Sequence, residues 1–121
     1  MELFGHLAFA MLIWHALADY PLQGDFLAKA KNPNTPVPGI SWGTALYMHG
    51  LIHSAGVWVI TGYYTLAMIE LALHCIIDRL KCAKVIDFEM DQALHIACKV
   101  GYAGYVVYMA PPAYTFLSHL R

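Results

Sequence analysis

The sequence predicts an all-α fold, a polytopic membrane protein whose four transmembrane helices form an up-and-down bundle, and three observations lead there. The composition is apolar, with 60% of the 121 residues hydrophobic and only 12% charged, against roughly half and a quarter in an ordinary soluble domain. The charges are bunched, and no Asp, Glu, Lys or Arg occurs at 3–18, 32–69 or 100–120. Those blanks are long enough to cross a bilayer. Four apolar segments can be delimited, at 3–18, 42–60, 63–77 and 91–110. At 1.5 Å per residue each is roughly 22 to 30 Å long as a helix. Backbone groups in hydrocarbon must be bonded within the segment, which at these lengths means helices rather than barrel strands.

The elements follow in order. The first helix, 3–18, is closed by Pro21, since proline cannot donate to a continuing helix. Its apolar run could pass for a signal peptide, yet Glu2 stands where a basic residue is expected and His6 and His15 interrupt the run, so it is expected to be retained. A linker with Pro33, Pro36, Pro38 and Gly39 cannot be helical. The second helix, 42–60, turns at Thr61 and Gly62 into the third, 63–77, and the fourth, 91–110, is stopped by Pro111 and Pro112, leaving an interfacial tail. One side of such a bundle carries Lys29, Lys31, Arg79, Lys81 and Lys84, and the other only Arg121. The positive-inside bias makes the basic side cytoplasmic and puts both termini outside.

The same numbers exclude other classes. A chain of 121 residues holds one domain, and its formal net charge of −1 lacks the basic excess of a nucleic-acid-binding protein. Cys75, Cys82 and Cys98 form no CxxC pair and read as small buried side chains. His6 and His119 lie away from the other histidines and read as interfacial.

Ionisable groups within apolar helices are costly, so their placement carries information. Here they recur at a spacing of four: His15 and Asp19; His49 and His53; Glu70, His74 and Asp78; Asp91 and His95. Residues four apart differ by about 40° around a helix, so each set is a one-sided stripe. The predicted topology brings all four stripes to the cytoplasmic end. His, Asp and Glu are the donors that zinc, manganese or iron take, and helical bundles hold such ions between facing helices. The expected ligands are His15, Asp19, His49, His53, His74, Asp78, Asp91 and His95, enough for one or two divalent ions, zinc first. A histidine–carboxylate hydrogen-bond network is the alternative. Glu70 and Lys99 lie about 12 Å inward from the end of the stripe. They could form a structural ion pair, or act as a catalytic acid/base and an anion-binding lysine. Gln23, Lys31, Asp25 and Gln92 lie at the mouth, where substrate contact and simple solvation both remain open.

The set His15-x3-Asp19-x3-Gln23, Lys31, His49-x3-His53, His74-x3-Asp78-x2-Lys81 and Asp91-Gln92-x2-His95 resembles the domain of unknown function 3307 family of small phage and bacterial membrane proteins. The resemblance spans most of the chain. It implies a helical membrane protein of phage or bacterial origin and brings no established activity; the bacterial inner membrane is the expected location. A looser likeness to bacterial inner-membrane metal-dependent hydrolases rests on His and Asp spaced along short membrane helices.

Three functions are therefore expected to compete. The first is a membrane-embedded metal-dependent hydrolase with Glu70 as general base and Gln23, Lys31, Gln92 and Lys99 contacting a lipid-linked or phosphorylated substrate. The second is a non-enzymatic phage membrane protein whose ion staples the helices, for which apolar packing in lipid gives little drive. An ion or proton carrier is the third, disfavoured because the outer halves of helices 1, 2 and 4 are nearly free of polar groups. The bilayer is the expected partner, nucleic acid is not, and self-association is left open.

Overall fold

The structure, a computed structural model, describes residues 1–110. The expectations resting on Pro111, Pro112, His119 and Arg121 lie outside the described residues. Among the described residues the chain is all-helical: α1 (Glu2–Asp19), α2 (Gly24–Ala30), α3 (Trp42–Thr61), α4 (Tyr64–Cys82) and α5 (Phe88–Tyr108).

Local chemistry sets most boundaries. α1 ends two residues before Pro21, and the chain bends by 82° into α2. Gly24 sits at φ +57° in that bend, where a side chain would be strained. Ser41 caps α3 by accepting a hydrogen bond from the Thr44 N–H at 3.1 Å, and Asp87 caps α5 by accepting from the Met90 N–H at 2.8 Å. Gly62 closes α3 at φ +76°, its N–H donating to the Trp58 carbonyl.

Two expectations need correction. Four helices were expected and five are found, because α2 occupies part of the stretch read as a linker; 33–39 is non-helical as predicted. At seven residues α2 is too short for periodicity to reveal, although Asp25 in its first turn and Lys29 in its last suit the helix dipole. α4 also runs five residues past 77, and α5 begins three residues before 91. The apolar run is a poor guide here, since Asp78 and Lys81 extend α4 by bonding inside the bundle.

α1 packs on α3 and α5, α4 packs on the same two, and α2 rests on α3. The four long helices therefore form a ring, with neighbours antiparallel. Phe4 meets Tyr108 at one end of the α1–α5 pair while His15 meets Gln92 toward the other. Between α3 and α4, Ser54 Oγ donates to the Ala67 carbonyl and Cys75 Sγ approaches the Leu46 carbonyl. Close approaches depend on small residues. A Cβ on Gly56 would lie 2.0 Å from Trp14 Cδ1, and one on Gly50 would lie 2.7 Å from Cys75 Sγ.

Polarity is distributed inside out. Leu7, Met11, Val57, Leu66, Tyr102 and Ala103 form an apolar cluster near one end. Much of the remaining interior is polar, with His15, His49, His53, Glu70, His74, Asp78, Asp91, His95 and Lys99 all buried. Large apolar side chains face outward instead, among them Phe9 at 66% exposure, Trp58 at 54%, Val59 at 54% and Ile76 at 55%. No single described helix is long and apolar enough to cross a membrane, and α1 with α2 meets that description only as a bent pair.

Candidate metal centre

Each long helix contributes one side of the centre, and the antiparallel ring brings those sides to a common level. Asp19, at the last residue of α1, is the meeting point. Its Oδ1 lies 2.9 Å from His53 Nε2 and 3.3 Å from His49 Nε2, and its Oδ2 lies 3.2 Å from His15 Nε2. Gln92 of α5 braces the carboxylate, donating to Oδ2 at 3.2 Å. On the α4–α5 side, His95 Nε2 stands 3.2 Å from Asp78 Oδ1 and 3.4 Å from Asp91 Oδ1. His74 Nε2 is 3.6 Å and His49 Nε2 3.5 Å from Asp78 Oδ2. The rings are packed face to face, with His53 and His74 at 3.7 Å between centroids and His74 and His95 at 4.3 Å.

Two overlapping donor sets result. One atom each from Asp19, His49, His53 and His74 falls within 4.8 Å of the others, and the same holds for His74, Asp78 and His95. With bonds of about 2.0 to 2.1 Å, the ligands of a tetrahedral zinc stand about 3.3 Å apart. The Asp19 contact with His49, at 3.3 Å, matches that figure, and the one with His53, at 2.9 Å, is somewhat shorter. His49 Nε2 and His74 Nε2 are buried with no hydrogen-bond partner. A buried polar atom left in that state is costly, and an ion between these nitrogens would relieve both.

Charge separates the two sets. Lys31 Nζ bonds Asp78 Oδ2 at 2.5 Å, Lys81 Nζ bonds Asp91 Oδ2 at 3.0 Å, and Lys99 Nζ bonds Glu70 Oε1. Asp19 is the buried-cluster carboxylate with no lysine against it among the described residues. Its charge is held among three imidazoles instead, at the edge of the cluster.

All eight expected ligands are thus brought together, and Gln92 belongs to the same network. The other expected residues are placed differently. Gln23 donates to the Asp19 main-chain carbonyl rather than to its carboxylate, at 3.1 Å. Lys31 is buried against Asp78 instead of lying solvated at the mouth, and Lys99 and Glu70 are fully enclosed, two turns inward from Asp91 and Asp78. Lys81, which the sequence placed only among the basic residues of the cytoplasmic side, is bonded into the cluster. Its position three residues after Asp78 on the same helical face was the available signal.

A cavity of about 300 Å³ opens beside the cluster between the α1–α2 bend, α4 and α5, with Asp19, Gln23, Asp25, Lys81, Phe88 and Gln92 in its wall. Asp19 is therefore shared between the buried donors and the open space.

The family model described as "Protein of unknown function (DUF3307)" matches residues 7–119. No curated protein and no solved structure matches the chain.

Proposed function

The chain belongs to the DUF3307 family of proteins of unknown function, and from that premise we propose that it is a multi-pass membrane protein holding a catalytic divalent ion inside its bundle. Support for the bilayer comes from the inverted polarity together with helix length. α1, α3, α4 and α5 contain 18 to 21 residues, or about 27 to 32 Å at 1.5 Å per residue, close to the thickness of a hydrocarbon core. Lipid would cover Phe9, Trp58, Val59 and Ile76. The excess of lysine and arginine on the side of α2 and the α4–α5 connection then orients that side to the cytoplasm of a bacterial inner membrane, with the N-terminus opposite.

The observation that carries the metal reading is Asp19, a part-buried carboxylate with no lysine against it among the described residues and with three imidazole Nε2 atoms at 2.9 to 3.3 Å. Zinc suits this mixed nitrogen and oxygen set, and manganese or iron accepts the same donors. One ion in the Asp19, His49, His53 and His74 set is the expected stoichiometry, because Lys31 and Lys81 already neutralise Asp78 and Asp91.

Hydrolysis is the chemistry we assign. A bound zinc ion supplies a water acidified to a pKa of about 7 and a Lewis acid for a carbonyl or phosphoryl oxygen. Asp19 sets the centre beside the cavity, so a substrate in that space is within reach of it. Gln92 bonds both Asp19 and Asp91 and fixes their orientation. Lys81, Gln23 and Gln92 in the wall suit the polar or phosphorylated headgroup of a lipid-linked substrate. A carrier function is not adopted, because the polar path ends inward against Leu7, Met11, Val57 and Leu66. One observation favours a second reading, in which the ion is a structural staple: Asp19, His49, His53 and His74 are four ligands from three helices, enough to close a tetrahedron.

The test is metal analysis of detergent-purified protein. We expect one ion per chain in the wild type and in the exposed control His6→Ala, with most of it lost in His74→Ala and in Asp19→Asn. A metal-free wild type overturns the reading, and two ions per chain overturn the single-ion assignment. A loaded protein that hydrolyses no lipid-linked phosphate ester would leave the staple.

A further inference from the structure

Glu70 is buried at 1% exposure and is absent from the cavity wall, yet it sits one helical turn from a proposed ligand. Its Oε1 accepts a hydrogen bond from Lys99 Nζ and lies 3.4 Å from Nδ1 of His74. That separation is slightly longer than an ordinary N–H···O bond, and no other acceptor serves this nitrogen. Among the described residues His74 is the one buried imidazole with a carboxylate facing its Nδ1.

We propose that Glu70 is a positioning residue for the metal centre: it accepts a hydrogen bond from the Nδ1–H of His74, which keeps the proton on Nδ1 so that Nε2 turns its lone pair to the ion, while Lys99 holds the carboxylate in register. This rests on the metal reading above. A neutral imidazole has one protonated nitrogen, and the partner of the other nitrogen decides which. Histidines that bind metal commonly donate their second N–H to a carboxylate, and loss of such a partner costs about 10- to 100-fold in metal affinity. A general base must reach the substrate or its water, which Glu70, enclosed between α4 and α5, does not do. Positioning requires no such reach. It also explains why a lysine is buried beside Glu70, since a lone glutamate there would be an unpaired charge.

Two double variants isolate the effect, because both lack the ion pair and differ in whether His74 retains an acceptor: Glu70→Gln with Lys99→Met, and Glu70→Leu with Lys99→Met. Zinc affinity is measured by competition, and the visible absorption of the cobalt-loaded proteins reports the ligand set. The glutamine pair should bind zinc close to wild type, and the leucine pair 10- to 100-fold more weakly with an altered cobalt spectrum, at matching metal-free melting temperatures. Equal affinities for the two pairs overturn the proposal. A second measurement needs no variant. In ¹⁵N spectra of the zinc-loaded wild type, His74 should carry its proton on Nδ1, and coordination through Nδ1 overturns the assignment. A wild type that binds no zinc instead removes the metal reading itself, so the two failures are distinguishable.

Discussion

Breaking the Glu70–Lys99 pair from one side should be among the most damaging single changes in the protein. Glu70→Leu or Lys99→Met alone is expected to lower stability by about 3 to 5 kcal/mol, whereas the double variant should return close to wild type. The asymmetry follows from burial. Both groups are essentially inaccessible, so each single change strands a charge that water cannot reach, and for Glu70 the His74 Nδ1 at 3.4 Å is a poor replacement for an ammonium. The double change removes both charges and leaves apolar groups of similar volume. Thermal unfolding of the four proteins in one detergent, without metal, measures the coupling directly. Additive losses would mean that the two residues do not interact, and would remove the support that Lys99 gives Glu70.

The second large effect concerns a residue without a side chain. Gly56 lies on α3 where the Trp14 indole of α1 crosses, its Nε1–H donating to the Ile52 carbonyl at 3.0 Å. On helix propensity alone, Gly56→Ala should stabilise by about 1 kcal/mol. Packing outweighs this. The new Cβ would stand 2.0 Å from Trp14 Cδ1, a separation that no rotamer adjustment of the methyl can relieve, so the indole must leave. Overpacking costs about 1 to 3 kcal/mol and loss of the indole hydrogen bond about 1 more. Displacement of the ring from its groove adds to both. A net loss of about 2 to 4 kcal/mol is therefore expected, and Trp14→Leu placed in the Gly56→Ala protein should recover part of it. A melting temperature that rises in Gly56→Ala would show that propensity wins and that α1 does not cross α3 at this point.

Much of the centre was legible because a helix converts sequence spacing into direction. His15 with Asp19, His49 with His53, His74 with Asp78 and Asp91 with His95 each repeat at four, and the structure gathers all eight. The depth of Glu70 and Lys99 was readable in the same way, from their eight-residue offset along α4 and α5. Lys31 was not. It follows α2 across a bend, where periodicity gives no direction, and only the packing of α2 on α3 carries its ammonium to Asp78. Gln23 lines the cavity as expected, but spacing could not show that its Nε2 is taken up by the main-chain carbonyl of Asp19.

By itself the sequence determined that the chain is helical, where the long helices run, and that each presents a polar stripe, because these depend on composition and on a period internal to one segment. Tertiary structure decided which lysine neutralises which carboxylate, that Asp19 is left without one, and that a glutamate stands behind His74. It also decided that Gly56 is a crossing point and not merely a weak helix former. Those are relations between helices, set by rotation, register and the bend at Gly24, and a one-dimensional spacing rule contains no term for the distance between side chains on different segments.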